Sequence, residues 1–151
     1  LDIASLYKTA EWYMYNYLEI KNEVIDKRAI MQQMQNTSHI KDPTGKDAMV
    51  NVLPIKEVTI HVQSKGQRDN QVIVKNPERI VEAVESTLSK ASDLMLALVE
   101  AKYTYKRPWE QTIVKERISK DLYYNTIKEF LYLLLLHLVE FKVFKISNKF
   151  G

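Results

Sequence analysis

The chain predicts a mainly α fold: a helical bundle with one β-hairpin and a C-terminal helix-turn-helix. Three observations carry this. Only three glycines and four prolines stand in 151 residues, so few positions interrupt a helix. Apolar side chains recur three and four residues apart over most of the chain, the period of an amphipathic helix. The exception is a pair of β-branched segments, from Val58 to Gln63 and from Gln71 to Lys75, which alternate or run continuously as strands do. A hydrophobic fraction of 46% is enough for a core.

Residues 1 to about 34 read as one long helix, with Ile3, Leu6, Ala10, Tyr13, Tyr17, Ile20, Val24 and Met31 on its apolar stripe. Gln32, Gln33, Gln35, Asn36, Thr37 and Ser38 then soften the pattern into a loop. Asp42-Pro43-Thr44 opens a short helix to about Val52, because Asp caps and Pro suits the first helical position. The two strands follow, joined by a polar loop carrying Gly66 and the basic Lys65 and Arg68. Asn76-Pro77 opens the next helix, Asn as cap and Pro at its first position. Its stripe runs from Ile80 to about Tyr103, with a break expected near Ser92-Asp93. Lys106-Arg107-Pro108 ends it. The expected division is an N-terminal helical core over 1–103, with the hairpin at about 58–75, and a C-terminal module over 104–151.

That module contains the most informative segment. Trp109 to Arg117 is a short amphipathic run, Ile118-Ser119-Lys120 is a turn, and a long apolar-striped run follows from Asp121 to about Lys142. A short helix, a tight turn and a second helix with polar opening turns make a helix-turn-helix, whose second helix enters the DNA major groove N-terminus first. Ser119 would cap that helix. Ile113 and Ile118 would face the core, and Tyr123, Ile127, Leu131 and Leu134 or Leu135 would form the buried stripe. Lys120, Asp121, Tyr124, Asn125 and Lys128 are left outward as base-reading candidates: Asn can pair with adenine, Asp can accept from cytosine, and Lys can meet guanine or phosphate. Lys106, Arg107, Lys115 and Arg117, with Ser119, are the expected phosphate contacts. The competing reading is two bundle helices with a solvated polar face.

Charge points the same way. The net charge is +3, and from Thr104 onward nine Lys/Arg face five Asp/Glu, so the excess sits where phosphates would be held. No cysteine is present, which excludes disulfides, thiolate zinc sites and cysteine nucleophiles. His39, His61 and His137 lack ligand spacing, so no metal site is expected. Asp42 with Asp47, or Glu57 with His61, are the nearest to acid/base pairs, but no phosphate loop or nucleophile elbow accompanies them. Neither catalytic residues nor a cofactor are expected. The run Phe130 to Val139 is half a membrane span and reads as a buried helix. Trp12, Tyr13, Tyr15 and Tyr17 read as core or interface residues, with base stacking as the alternative.

The residues also resemble a family. Asp42-Pro43-Thr44-Gly45-Lys46-Asp47-Ala48 is similar to the Ser-Asp-Pro-Thr-x-x-Ala segment of phage late-gene regulators of the RinA/ArpU/LtrC type. Trp109-Glu110, followed by Ile118-Ser119-Lys120-Asp121-Leu122-Tyr123-Tyr124-Asn125 and Lys128-Glu129, resembles their Trp-Glu … Ile-Ser-x-x-x-Tyr-Tyr … Arg/Lys-Glu motif. Asn125 and Thr126 stand where the family often has basic or aromatic residues, and the hairpin over Val58 to Lys75 leans toward the ArpU/LtrC side. These regulators resemble region 4 of sigma factors. The resemblance implies sequence-specific binding of double-stranded DNA at a promoter or operator and activation of late phage genes for packaging, structure and lysis. Bacterial RNA polymerase is the implied partner, in the cytoplasm of the host and away from any membrane. A second copy of the chain, through surplus apolar surface on the N-terminal helix or on the helix from Phe130 to Val143, and a protein inhibitor acting on the helix-turn-helix are further expected partners. The reading from another class is a protein-interaction module, such as a phage assembly or anti-repressor protein, that binds no DNA.

Overall fold

The computed structural model describes residues 2–38, 53–62 and 70–144. The protein is mainly α-helical with one two-stranded antiparallel hairpin. Its helices are α1 (Ile3–Tyr15), α2 (Tyr17–Ser38), α3 (Pro77–Ser89), α4 (Asp93–Val99), α5 (Trp109–Glu116) and α6 (Lys120–Glu140), and a π-helical turn spans Glu100–Thr104. The strands are β1 (Glu57–Val62) and β2 (Asn70–Lys75). No described helix is long and apolar enough to cross a membrane. The short helix expected after Pro43, Asp42, Asp47 and His39, and the basic loop residues Lys65 and Arg68 lie outside the described residues.

The chain divides into two compact units. One comprises Leu1–Tyr17 and Arg79–Gly151, the other Leu18–Glu78. The boundary expected between 103 and 104 falls inside the first.

In the second unit the hairpin follows its alternation. Val58 lies opposite Val74 and Ile60 opposite Val72, and Val58, Ile60 and Val74 are buried while Ile73 on the other face is exposed. Side chains of period two can bury one face only. Arg28 of α2 organises the entry to β1: one nitrogen donates to the Leu53 carbonyl at 3.0 Å and the other meets Glu78 Oε2 at 2.7 Å. Glu78 Oε1 in turn accepts the Ile55 N–H at 2.7 Å. The polar residues from Gln32 onward, expected as a loop, continue α2 to Ser38; glutamine and methionine are good helix formers, which outweighs the lost apolar stripe.

Two further expectations are corrected. The single helix over 1–34 is interrupted at Asn16, whose φ of −110° and ψ of 9° leave the helical region. Its side-chain nitrogen and its backbone N–H both donate to the Trp12 carbonyl, at 2.8 and 3.1 Å. An asparagine side chain competes in this way with helical backbone bonds. Asn76 does not take the extended conformation of a capping residue. Its φ is 53°, and its N–H donates to the Lys56 carbonyl at 2.9 Å, prolonging the hairpin ladder by one bond. Pro77 does open α3.

In the first unit α6 is the central element, packed by α1, α4 and α5. It buries Tyr123, Ile127, Phe130, Leu131, Leu134, Leu135 and Leu138. The break expected near Ser92 occurs: the Ser92 hydroxyl accepts the Met95 N–H at 3.2 Å and starts α4. His137 and Thr126 are the polar residues on the buried face of α6. Lys90 Nζ has only protons to give and donates to His137 Nε2 at 2.9 Å. On the other side of the ring, Nδ1 lies 2.8 Å from Thr87 Oγ1, and that hydroxyl donates to the Ala83 carbonyl at 2.8 Å. Every polar atom of this buried cluster is thus satisfied. The N-terminal aromatics pack: Tyr15 meets Tyr103 edge-on at 4.8 Å between centroids, and Tyr13 stacks on Phe144 at 6.3 Å.

Candidate nucleic-acid interface

The segment from Trp109 onward folds as α5, a connection at 117–119 and α6. Each boundary has a local cause. Pro108 precedes α5, and its carbonyl accepts the Thr112 N–H at 3.3 Å. At the other end Arg117 adopts φ 56°, ψ 48°. The Ile118 N–H then reaches back to the Ile113 carbonyl at 3.1 Å and the Arg117 N–H to Val114 at 3.4 Å. That pair of bonds is a Schellman motif, which satisfies helix-end carbonyls and brings the flanking apolar residues, here Ile113 and Ile118, toward each other. The Ser119 hydroxyl accepts the Leu122 N–H at 3.1 Å and caps α6, as expected.

A left-handed residue with a Cβ is costly, by about 1–2 kcal/mol. Arg117→Gly is therefore expected to raise stability by about 1 kcal/mol. A thermal melt showing no increase in Tm would mean that this turn relaxes to another conformation.

Ile113 and Ile118, expected to face the core, are only half-buried. The fully buried residue of α5 is Thr112, at 1% exposure, with its hydroxyl donating to the Pro108 carbonyl at 3.3 Å. Threonine can occupy a buried helical face because its hydroxyl bonds one turn back.

On α6 the register separates two adjacent tyrosines: Tyr123 is 2% exposed and Tyr124 43%. Lys120, Asp121, Tyr124, Asn125 and Lys128 are all exposed; at 100° per residue they cover an arc of about 140° over the first turns. Lys120 is placed further by aromatic rings, its Nζ 4.7 Å from the Trp109 centroid and 5.9 Å from that of Tyr124. Of the expected phosphate contacts, Lys106, Lys115, Arg117 and Ser119 are exposed and Arg107 half-buried. Lys106 has φ 51°, and the Arg107 N–H donates to the Ala101 carbonyl at 2.8 Å, closing the chain after the π-helical turn.

A cleft of about 270 Å³ adjoins these residues, lined by Tyr15, Lys102, Lys106, Arg107, Trp109, Tyr123 and Tyr124. Of these, Tyr15 is a base-stacking candidate only in the alternative reading of the N-terminal aromatics, and Lys102 and Trp109 are not site candidates from sequence. The alternation of cations and rings from Lys102 to Trp109 is the signal that points to Lys102 and Trp109. Lys102 Nζ pairs with Glu11 Oε2 at 3.1 Å, and the same oxygen accepts the Tyr103 hydroxyl at 2.7 Å. Burial first, then the charge of neighbouring groups including Glu11 and Glu110, raises the Tyr123 hydroxyl above the ordinary tyrosine range. Among the described residues no three His, Asp or Glu side chains gather where they could hold a metal ion. No protein-family model matches the chain, and no curated protein or solved structure matches it.

Proposed function

We propose that the chain binds double-stranded DNA sequence-specifically through a sigma region 4-like helix-turn-helix formed by α5 and α6, and activates transcription of late phage genes in the manner of the RinA/ArpU/LtrC-type regulators it resembles. The observation that carries this reading is the split face of the Ser119-capped α6. Tyr123 and Ile127 anchor one side in the core, while Lys120, Asp121, Tyr124, Asn125 and Lys128 are exposed over its first turns. That end of a recognition helix meets base edges. Lys106, Arg107, Lys115 and Arg117 flank it as phosphate contacts, with Ser119 at the start of α6. RNA polymerase is the partner that activation requires, a protein that covers this face would inhibit it, and a second copy of the chain would double the site.

A mobility-shift assay with duplexes from a phage late region tests the reading. Four phosphate contacts give a slope of log affinity against log salt of about −3 to −4. Replacing Lys120 and Asn125 together with alanine is expected to remove sequence preference, each lost bidentate contact being worth about 1–3 kcal/mol of discrimination. The fold should persist, since both side chains are exposed. An unchanged operator preference in competition would show that another face reads the bases.

A second reading has its own observation. Tyr132 and Leu136 of α6 and Ile3 of α1 are exposed apolar side chains, as on a helical module that binds only protein, for phage assembly or anti-repression. Such a complex would be insensitive to salt and indifferent to duplex DNA.

A further inference from the structure

The cleft beside α6 combines two chemistries that duplex reading does not use together. Its walls are aromatic, from Tyr15, Trp109, Tyr123 and Tyr124, and its cations are Lys102, Lys106 and Arg107. Tyr123 is buried, while Tyr15 and Tyr124 are exposed and can present ring faces to a ligand. Lys102 is already answered by Glu11 at 3.1 Å. Lys106 and Arg107 thus remain as the cations for a ligand, the guanidinium of Arg107 lying 5.6 Å from the Tyr105 ring centroid. Lys120 adds a further cation over Trp109 and Tyr124 at 4.7 and 5.9 Å, and the carboxylates nearest in sequence are Glu110 for Lys106 and Arg107 and Asp121 for Lys120.

Rings beside cations fit a ligand that carries a flat π-system and a negative charge. An uncharged base would leave the cations unanswered, and a bare phosphate would leave the rings in water. The volume, about 270 Å³, lies just below the roughly 300–1,000 Å³ of small-molecule pockets and gives room for one small unit. We propose that this cleft is a nucleotide site, taking one nucleoside phosphate with its base against Tyr15, Trp109 and Tyr124 and its phosphate against Lys106 and Arg107. A base paired within a duplex hides its face in the stack, so the occupant is either a free nucleotide or an unpaired residue of a strand. Base–aromatic stacking with backbone cations is how single strands are held, and a guanidinium meets phosphate with two parallel donors. The inference goes beyond duplex binding and does not depend on it.

Trp109 reports on the site. The chain has two tryptophans, so Trp12→Phe leaves Trp109 as the single tryptophan, excited selectively at the red edge of its absorption. Thymidine 5′-monophosphate, thymidine, inorganic phosphate and a short thymidylate strand are titrated in turn, without duplex, and calorimetry on the unaltered chain repeats the measurement. The expected result is saturable quenching by the nucleotide or the strand, at least about tenfold weaker for thymidine because the charged contact is gone. Arg107→Gln and Tyr124→Leu should each weaken it by about tenfold, one through the phosphate and the other through the base. Equal affinity for mononucleotide and strand identifies a free nucleotide as the source; much tighter binding of the strand identifies an unpaired residue. The proposal is overturned if neither binds, if inorganic phosphate competes as well as the nucleotide, if both variants bind unchanged, or if O-phosphotyrosine binds more tightly, which would make the cleft a phosphopeptide site. Because no duplex is present, failure here leaves the shift assay standing, and a failed shift assay leaves this titration intact.

Discussion

Tyr123→Ala is expected to lower the unfolding free energy by about 3–5 kcal/mol, the cost of truncating a buried aromatic, whereas Tyr124→Ala should leave stability nearly unchanged and weaken duplex binding. The two residues are neighbours in sequence but lie about 100° apart around α6. One is 2% and the other 43% exposed. Their rings meet edge-on at 5.3 Å, and Tyr124 also faces Trp109 at 6.1 Å. The alanine at 123 would open a void at the base of the cleft, with little freedom to collapse because α5 and α6 pack there. Denaturant unfolding of both variants checks this. Equal losses would place both rings in the core, which would remove Tyr124 from any interface.

The second large effect is at Tyr103, whose hydroxyl is buried and donates to Glu11 Oε2 at 2.7 Å. Tyr103→Phe keeps the ring and removes that bond. The expected loss is about 1.5–3 kcal/mol, the range for a hydrogen bond to a charged group. The same site predicts an alkaline weakness. Burial, and then the bond to the Glu11 carboxylate, hold the Tyr103 proton well above the usual tyrosine range. In the unfolded chain tyrosine ionises near about pH 10. Below that pH both states are protonated and the stabilisation is complete. Above it the unfolded state sheds a proton that the folded state keeps, so stability falls by about 1.4 kcal/mol per pH unit for this residue. Tyr13, Tyr15 and Tyr123 are shifted in the same direction, so the whole protein should lose stability more steeply. Tyr103→Phe should flatten the slope by one tyrosine's share. Urea unfolding through the alkaline range measures this, and identical slopes in the two proteins would show that Tyr103 ionises while folded.

Much of the architecture was legible from residues close together in the chain. The alternation of Val58, Ile60, Val72 and Val74 specifies a hairpin with one buried face, because successive strand side chains must point to opposite sides. Ser92 and Ser119 announce helix starts, because a cap bonds to backbone only three residues away. The three-four stripe of α6 separates Tyr123 from Tyr124 for the same reason, since the helical period is a property of the local backbone. These features depend on covalent neighbours and survive whatever packs around them. Other features depend on partners distant in the chain. Nothing near Thr112 marks it as more buried than Ile113; that follows from the direction α5 takes after Pro108 and from its packing on α6. Asn76 leaves the capping conformation and bonds instead through its N–H to the Lys56 carbonyl on the other strand of the hairpin. The cleft is the clearest case. Tyr15, Lys102 and Tyr123 belong to three separate elements and become neighbours only because α1, the π-helical turn and α6 pack in one unit. Sequence spacing carries the period of an element, but the meeting of elements is settled by which buried faces fill each other's space.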